Sequence, residues 1–306
     1  MTEQTASFQH PEYPFRGHFL DVRGQQMHYL DEGPADSSLP PVLMVHGNPT
    51  WSFYYRQLVL GLCPAQRCLV PDHIGMGWSS RPTKAEYGYQ LADRVADLGA
   101  FIEQTVPSGP LDLIVHDWGG MIGMAWAVEH PERIRRLVIL NTAAFPLPPD
   151  KRLPFTLGLV RNTGLGGFLV RRLNAFARGA TWLAVRKPMS LATRSGYLAP
   201  YATADRRLAT LEFVRDIPLA AGDPGFDLVH ATADRLERLA DHPMLIQWGR
   251  HDFVFDDHFL AGWQSRFPAA EVEVYEDAGH YVLEDAGERL VPRVRAFLQG
   301  SPDAAE

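Results

Sequence analysis

Asp117 lies where the sequence predicts a sharp turn from a strand into a helix. It follows the apolar run LDLIVH at residues 111–116 and precedes a helical pattern that opens with a Gly-Gly pair. Such a nucleophile elbow exposes one side chain, and small residues flank it because the two backbones approach closely. Gly119 is the small residue after the turn, whereas Val115 stands where a glycine is usual. A carboxylate at this tip attacks carbon and forms an ester; the alternative is that Asp117 only caps the helix.

His280 and Asp252 complete a candidate catalytic triad. His280 follows the last predicted strand and Asp252 follows the strand before it, so both are expected at the same sheet edge as Asp117. A catalytic imidazole needs a carboxylate that holds its tautomer and stabilises its charged form. The order Asp117, Asp252, His280 is the nucleophile, acid, base order of α/β-hydrolases. Three nearby carboxylates remain alternatives to Asp252: Asp256, Asp257 and Glu284.

Asn48 and Trp118 are candidate donors to an anion in the site. Asn48 lies in a loop after the third strand, which supplies one backbone N–H of an oxyanion site, and the residue after the nucleophile supplies the other. Both side chains also carry N–H groups, and the indole is a donor only. Two donors aimed at one point would hold a departing anion. The alternative is a turn asparagine and a packing tryptophan.

The elements that position these residues alternate between strands and helices. Short apolar runs ending at turn residues predict buried parallel strands at 41–46, 67–71, 111–116, 134–141, 243–248 and 271–275. Helical patterns lie at 90–106, 119–130, 256–267 and 283–298. Residues 18–22 and 25–31 predict an antiparallel edge hairpin. The expected fold class is therefore α/β, a mostly parallel eight-stranded sheet with helices on both faces.

A long interruption separates the strand ending near Asn141 from the next strand. Residues 144–239 are rich in Pro, Gly and Arg, with helical patches and no clear strand. An insertion there would cover the carboxyl ends of the strands, where open α/β sheets bind ligands. We therefore expect a helical cap at 144–239, with the core formed by residues 1–143 and 240–306.

Composition indicates an ordinary globular enzyme of 306 residues, 46% hydrophobic and 21% charged. No apolar run is long enough to span a membrane, and no secretory signal pattern opens the chain. The two cysteines, Cys63 and Cys68, suit reduced thiols in the cytoplasm. No metal spacing, dinucleotide fingerprint or Walker motif is present, so no cofactor is expected, and nothing resembles a nucleic-acid motif.

The formal net charge of −7 hides an asymmetry. Residues 151–204 contain nine basic residues and no acidic one, so the rest of the chain carries a formal charge of −16. This basic segment is either a solvated face that balances an acidic body or a surface for an anionic ligand, a partner or a membrane.

Four segments resemble the haloalkane dehalogenase family of the α/β-hydrolase fold: HGNPTWSFYYR, DHIGMGWSSRP, HDWGGMIGMAWA and DAGHYVLED. The resemblance covers about residues 17–298. It implies that Asp117 displaces a leaving group held by Asn48 and Trp118, with Asp252 as the triad acid. Epoxide hydrolases usually carry an aromatic or apolar residue where Asn48 stands, and they use two cap tyrosines, for which Tyr197 and Tyr201 are the candidates.

The predicted cap resembles a sister group, the olefin-forming β-lactone decarboxylases of bacterial long-chain hydrocarbon synthesis. The segments that carry this likeness include LNTAAFPLP, KRLPF, LNAFARGATW and GYLAPY, and, in the core after the cap, HDFVFDDHFLAGW. The resemblance implies decarboxylation of cis-dialkyl β-lactones to cis-olefins and CO2 through an Asp117 ester. It implies a hydrophobic small-molecule substrate, and it suggests upstream hydrocarbon-pathway enzymes or a membrane surface as contacts.

Several functions remain alternatives. In a haloalkane dehalogenase, His280 would activate water to hydrolyse the Asp117 ester to alcohol. In a decarboxylase, Asp117 would attack the ring carbon bearing oxygen or, by another route, the lactone carbonyl, and His280 and Asp252 would supply a proton or clear stalled ester. A generic esterase is disfavoured by the aspartate at the elbow, and a silent binding protein by the complete triad.

Overall fold

The computed structural model describes residues 8–300, and eight strands within this range form one sheet. The strands are β1 (His18–Val22), β2 (Gln25–Glu32), β3 (Val42–Val45), β4 (Cys68–Pro71), β5 (Leu111–Asp117), β6 (Ile134–Thr142), β7 (Met244–Gly249) and β8 (Glu271–Tyr275). Their spatial order is β1-β2-β4-β3-β5-β6-β7-β8. The pairs β1/β2 and β2/β4 are antiparallel, and all others are parallel. The predicted fold class is confirmed.

Eleven α-helices lie within the same range. They are α1 (Arg56–Leu62), α2 (Leu91–Thr105), α3 (Trp118–Ala127), α4 (Phe155–Asn162), α5 (Gly164–Leu173), α6 (Ala175–Leu183), α7 (Leu191–Leu198), α8 (Leu208–Arg215), α9 (Phe226–Arg235), α10 (Asp257–Arg266) and α11 (Val282–Gln299). None of these helices is both long enough and apolar enough to cross a bilayer.

The central strands are apolar along their whole length because helices cover both sheet faces. Every residue of β3, β4, β5 and β7 is buried. A continuous apolar run is typical of such strands, since neither face meets water. Helix α1 packs with α11, while α3 packs with α2 and α9.

The strand order reverses at β3, which lies between β4 and β5 although β4 follows it in the chain. Ligands of open α/β sheets bind outside the carboxyl ends of the strands at such a switch point. Asn48 follows β3 and Asp117 ends β5, so the topology brings both to this crevice.

Helices α4–α8 follow β6 and precede β7 in the chain and are called the cap, and α4, α5 and α8 share a small core of their own. Its buried members are Leu157, Val160, Val170, Leu211 and Val214. Helix α9 packs against α3 of the main domain. The predicted cap limits of 144 and 239 stay a prediction.

Candidate active site

Asp117 occupies the tip of a strained turn. Its backbone has φ 52° and ψ −126°, a region that non-glycine residues seldom adopt. Its side chain makes no capping hydrogen bond to α3, which argues against the N-cap interpretation. Two glycines allow neighbouring segments to pack closely around this turn. A Cβ on Gly119 would collide with the carbonyl oxygen of Val45, and a Cβ on Gly47 would collide with the Asp117 carboxylate.

Val115 fits the elbow although a glycine is usual there. It is fully buried in β5 between Val45 and Ile139 of the neighbouring strands. Gly123 of α3 faces it, since a Cβ on Gly123 would lie 2.8 Å from a Val115 methyl group. The absence of a side chain at Gly123 therefore leaves room for the Val115 side chain.

The Asp117 carboxylate is held as an anion by two groups. Its Oδ1 accepts the backbone N–H of Asn48 over 2.6 Å, and its Oδ2 lies 3.4 Å from Nε2 of His280. Burial favours the neutral acid, but the hydrogen bond and charge of His280 hold the pKa of Asp117 below its ordinary value. A buried carboxylate that keeps its charge is a competent nucleophile.

Asp252 is the carboxylate paired with the His280 ring on the side away from Asp117. Its Oδ2 lies 2.7 Å from Nδ1 of His280, while its Oδ1 accepts the backbone N–H groups of Val254 and Phe255. Burial of the ring opposes its charge, but Asp252 and Asp117 outweigh burial and raise the pKa of His280 to about 10. His280 is therefore an imidazolium between two carboxylates at neutral pH.

The three alternative acids have other partners. Asp256 binds Lys151 over 2.6 Å and caps α10, and Asp257 binds Arg250 over 2.7 Å. Glu284 accepts hydrogen bonds from Arg56 and the Tyr197 hydroxyl.

His116 takes part in the site, although the sequence analysis did not select it. Its Nε2–H donates to the backbone carbonyl of His280 over 2.9 Å, and its ring stacks on Tyr54. Burial, and then the charge of His280, lower the pKa of His116 to about 3, so its ring is neutral. The signal available was its place next to the nucleophile, but its partner lies 164 residues away.

Asn48 and Trp118 both line the cavity with Asp117. The side-chain amide of Asn48 donates to the carbonyl of Thr210 in α8 over 3.0 Å, which ties the loop after β3 to the cap. The Trp118 ring packs edge-on against Phe213 and is 4% exposed. Its indole N–H has no hydrogen-bond partner among residues 8–300, so it is free to donate to a ligand.

A buried arginine beside Trp118 was also missed by the sequence analysis. The guanidinium of Arg94 lies 3.7 Å from the Phe213 ring centre and 5.6 Å from that of Trp118. One nitrogen binds Asp216 over 2.7 Å, and two others are buried without a partner. Nothing in the helical pattern of α2 distinguishes this residue, because its partners come from the cap.

The cavity above Asp117 has a volume of about 300 Å3. Polar groups lie at its floor, where Asn48, Asp117, Trp118 and His280 meet, and its walls are almost entirely apolar side chains from the cap and the loops beside it. A few polar groups under an apolar roof suit a hydrophobic ligand with one reactive centre.

The two candidate cap tyrosines do not reach this cavity. The hydroxyl of Tyr197 binds Glu284, and that of Tyr201 lies 3.3 Å from the carbonyl of Thr50. Neither residue lines the cavity. The arrangement therefore lacks the pair of tyrosine donors expected of an epoxide hydrolase. Among the described residues there is also no cluster of His, Cys, Asp and Glu able to hold a metal ion.

Comparisons with known proteins identify relatives of the chain. Residues 40–287 match the family model of the alpha/beta hydrolase fold. The chain is 48% identical over 299 residues to the cis-3-alkyl-4-alkyloxetan-2-one decarboxylase of Xanthomonas campestris pv. campestris, covering 96% of this chain and 99% of the relative. It is also 48% identical over 286 residues to the protein of that name from Shewanella oneidensis, covering 93% and 89%.

Solved structures with a similar fold include a haloalkane dehalogenase. The crystal structure of haloalkane dehalogenase DbeA from Bradyrhizobium elkani matches with a TM-score of 0.82 at 27% identity, covering 93% of this chain and 97% of that one. The two decarboxylase alignments span nearly the whole chain, so they include the cap as well as the core.

Proposed function

This chain belongs to the α/β-hydrolase fold family, in its haloalkane dehalogenase-like branch, and on that premise we propose that it is a β-lactone decarboxylase converting cis-3-alkyl-4-alkyloxetan-2-ones to cis-olefins and CO2. The observation that carries the proposal is the 48% identity to two such decarboxylases along nearly the whole chain. The cap lines the cavity, so similarity that includes the cap bears on the class of substrate and not only on the fold.

The lactone binds with its ring on the polar floor and its two alkyl chains along the apolar walls. Burial of each methylene contributes about 0.8 kcal/mol, so long chains provide most of the binding free energy. The ring lies against Asp117, with Asn48 and Trp118 on the side of the ring oxygen.

Asp117 attacks the ring carbon that bears oxygen and inverts it. The new bond joins a carboxylate oxygen of Asp117 to that carbon, and the ring C–O bond breaks to release a carboxylate on the neighbouring carbon. Trp118 donates its free indole N–H to this carboxylate, and the buried charge of Arg94 beside the indole favours the developing anion.

The ester then fragments. The carbon–carbon bond to the carboxylate breaks, and CO2 leaves. The electron pair of that bond forms the C=C bond, and Asp117 departs with the electron pair of the C–O bond. Inversion followed by anti elimination keeps the two alkyl groups cis. No proton is gained or lost over the cycle.

His280 acts as a cation in this scheme. The Asp117 carboxylate loses its charge on attack and regains it on fragmentation, and an imidazolium 3.4 Å away stabilises that returning charge. Asp252 keeps the imidazole oriented and charged.

The haloalkane dehalogenase function remains a second candidate, favoured by the structural match to DbeA. There His280 must act as a neutral base toward water. Esterification of Asp117 removes one of the two charges that keep His280 protonated, so the ester intermediate is the state in which a neutral imidazole is accessible.

The test presents the enzyme with a cis-dialkyl β-lactone and, separately, with a bromoalkane. We expect cis-olefin by gas chromatography from the first and little bromide from the second. Rapid bromide release without olefin would refute the proposal. The Asp117→Ala variant should lose activity by about a thousandfold or more, and a loss under about tenfold would defeat the nucleophile assignment.

We further propose that the reaction takes place in the cytoplasm, in bacterial long-chain olefin synthesis, after an enzyme that forms the β-lactone. That enzyme is a candidate partner, and co-purification at low salt tests the contact.

A further inference from the structure

Large apolar side chains that face solvent are concentrated in the cap. Ten such residues lie within the described range, and seven of them fall between positions 155 and 191: Phe155, Leu165, Phe168, Leu173, Trp182, Leu183 and Leu191. Single exposed apolar residues are normal on a protein surface, but a concentration of them in one layer marks an interaction site.

Helix α5 presents its apolar side to solvent. Leu165, Phe168 and Leu173 are 59%, 52% and 53% exposed, and their spacing places them on one side of the helix. The opposite side, with Gly166, Gly167 and Val170, is buried against α4 and α8. The glycines allow close packing there: a Cβ on Gly166 would collide with the α4 backbone.

Helix α6 connects this surface to the cavity. Phe176, Gly179, Ala180 and Leu183 recur at helical spacing, and all four line the cavity. Leu183 is at the same time 66% exposed. The cavity wall is therefore continuous with the exposed apolar surface of the cap.

The charged side chains of α4, α5 and α6 are all basic, and part of this positive charge is not compensated. Four arginines are exposed, and their guanidinium groups form no ion pair with an acidic side chain among residues 8–300: Arg152, Arg172, Arg178 and Arg186. Arg172 is seven residues after Leu165, on the apolar side of α5. Arg194 lies 3.3 Å from the ring centre of Trp182, so a cation and an aromatic ring are paired at the surface.

From these observations we infer that the outer face of the cap, helices α5 and α6 with Phe155 of α4, docks onto an anionic lipid bilayer with the cavity mouth toward the lipid. Leucine, phenylalanine and tryptophan side chains flanked by arginines are the composition of helices that lie in a membrane interface. Arginine stems lie along apolar surface while their guanidinium groups meet lipid phosphates. The docking rests on this surface alone, whereas its purpose, entry of a dialkyl lactone from the bilayer, rests on the proposed function.

The test is co-sedimentation of the full chain with lipid vesicles. We expect binding to phosphatidylcholine vesicles containing about 30% phosphatidylglycerol, and weaker binding to phosphatidylcholine alone or at high salt. The double variant Phe168→Gln/Leu173→Gln should lower the partition coefficient by about tenfold. The matched control Leu60→Gln/Val272→Gln changes two exposed apolar residues outside the cap and should leave binding within about twofold.

A second pair of variants tests how much positive charge contributes to vesicle binding. Arg172→Gln should weaken binding to the anionic vesicles by about fivefold, and Arg295→Gln, at an exposed position of α11, should not. Thermal unfolding of each variant checks that the fold is kept.

Three results would overturn the inference: no binding of the unaltered chain to anionic vesicles at low salt, equal loss in the cap variant and its control, or self-association that the cap variant abolishes while vesicle binding is absent. The last result would assign the surface to a second copy of the chain. None of these measurements depends on catalysis. A negative result would therefore contradict membrane docking without contradicting the proposed function. Olefin formation from a lactone dispersed in detergent tests that function without a bilayer.

Discussion

His116, which immediately precedes Asp117 in the chain, donates its Nε2–H to the backbone carbonyl of His280 over 2.9 Å. The bond joins the end of β5 to the loop that carries the imidazole. Because His116 is buried and neutral, it positions the loop without competing for the proton. The hydrogen bond thus helps to hold Nε2 of His280 at 3.4 Å from the Asp117 carboxylate.

We expect His116→Phe to reduce kcat by about tenfold with little change in KM, because a buried carbonyl without its donor shifts the loop that holds His280. The phenyl ring keeps the stacking on Tyr54. Steady-state kinetics measures the effect, and His116→Gln, which restores a donor, should recover part of it. His130→Phe, at an exposed histidine that packs on Trp126 and does not line the cavity, is the control. Equal losses of kcat in His116→Phe and His130→Phe would argue that His116 does not position the loop that carries His280.

The pH dependence of kcat follows from the two shifted groups. The pKa of Asp117 is lowered, so its anionic form persists into acid, and the pKa of His280 is raised to about 10, so its charged form persists into alkali. If the imidazolium is the active form, kcat for olefin formation stays level from about pH 5 to 9 and falls as pH rises through about 10.

Asp252→Asn provides the check on this profile. Asp252 makes the largest contribution that raises the pKa of His280, so its removal should move the alkaline fall to lower pH. A kcat that instead increases between about pH 6 and 8 would point to a neutral imidazole acting as base, as hydrolysis requires.

Trp118→Phe removes an indole N–H while keeping an aromatic ring against Phe213. Loss of one donor to a developing anion costs about 100-fold in rate, so we expect kcat to fall by that order. Trp126→Phe makes the same change in the same helix, at a residue that does not line the cavity, and should keep kcat within about twofold. Single-turnover decay of the lactone measures ring opening directly, and an unchanged rate in Trp118→Phe would remove the indole from the mechanism.

Gly47→Ala tests the close approach at the elbow. The added Cβ would overlap the Asp117 carboxylate, so activity should fall by about 100-fold or more and thermal stability should drop. Gly158→Ala is the matched change, because that α4 glycine has open space at its Cβ and should gain about 0.5–1 kcal/mol of stability. Full activity in Gly47→Ala would show that the loop after β3 can move without affecting the nucleophile.

Much of the fold was predictable from local pattern. Buried parallel strands are continuous apolar runs, and the elbow at Asp117 shows in a strand, a turn and a Gly-Gly pair. The order of Asp117, Asp252 and His280 placed all three at one sheet edge, and the structure brings them together there. These features depend on short segments and on chain order, which the sequence states directly.

Contacts between distant segments were decided by the tertiary structure. The partners of His116, Arg94 and the Asn48 amide come from the loop before α11 and from the cap, more than 100 residues away in each case. Helical spacing shows that Leu165, Phe168 and Leu173 share one side of α5, but it does not show that this side meets solvent. Which side of an amphipathic helix is buried depends on the surface that its neighbours leave uncovered, and only the packed structure determines that surface.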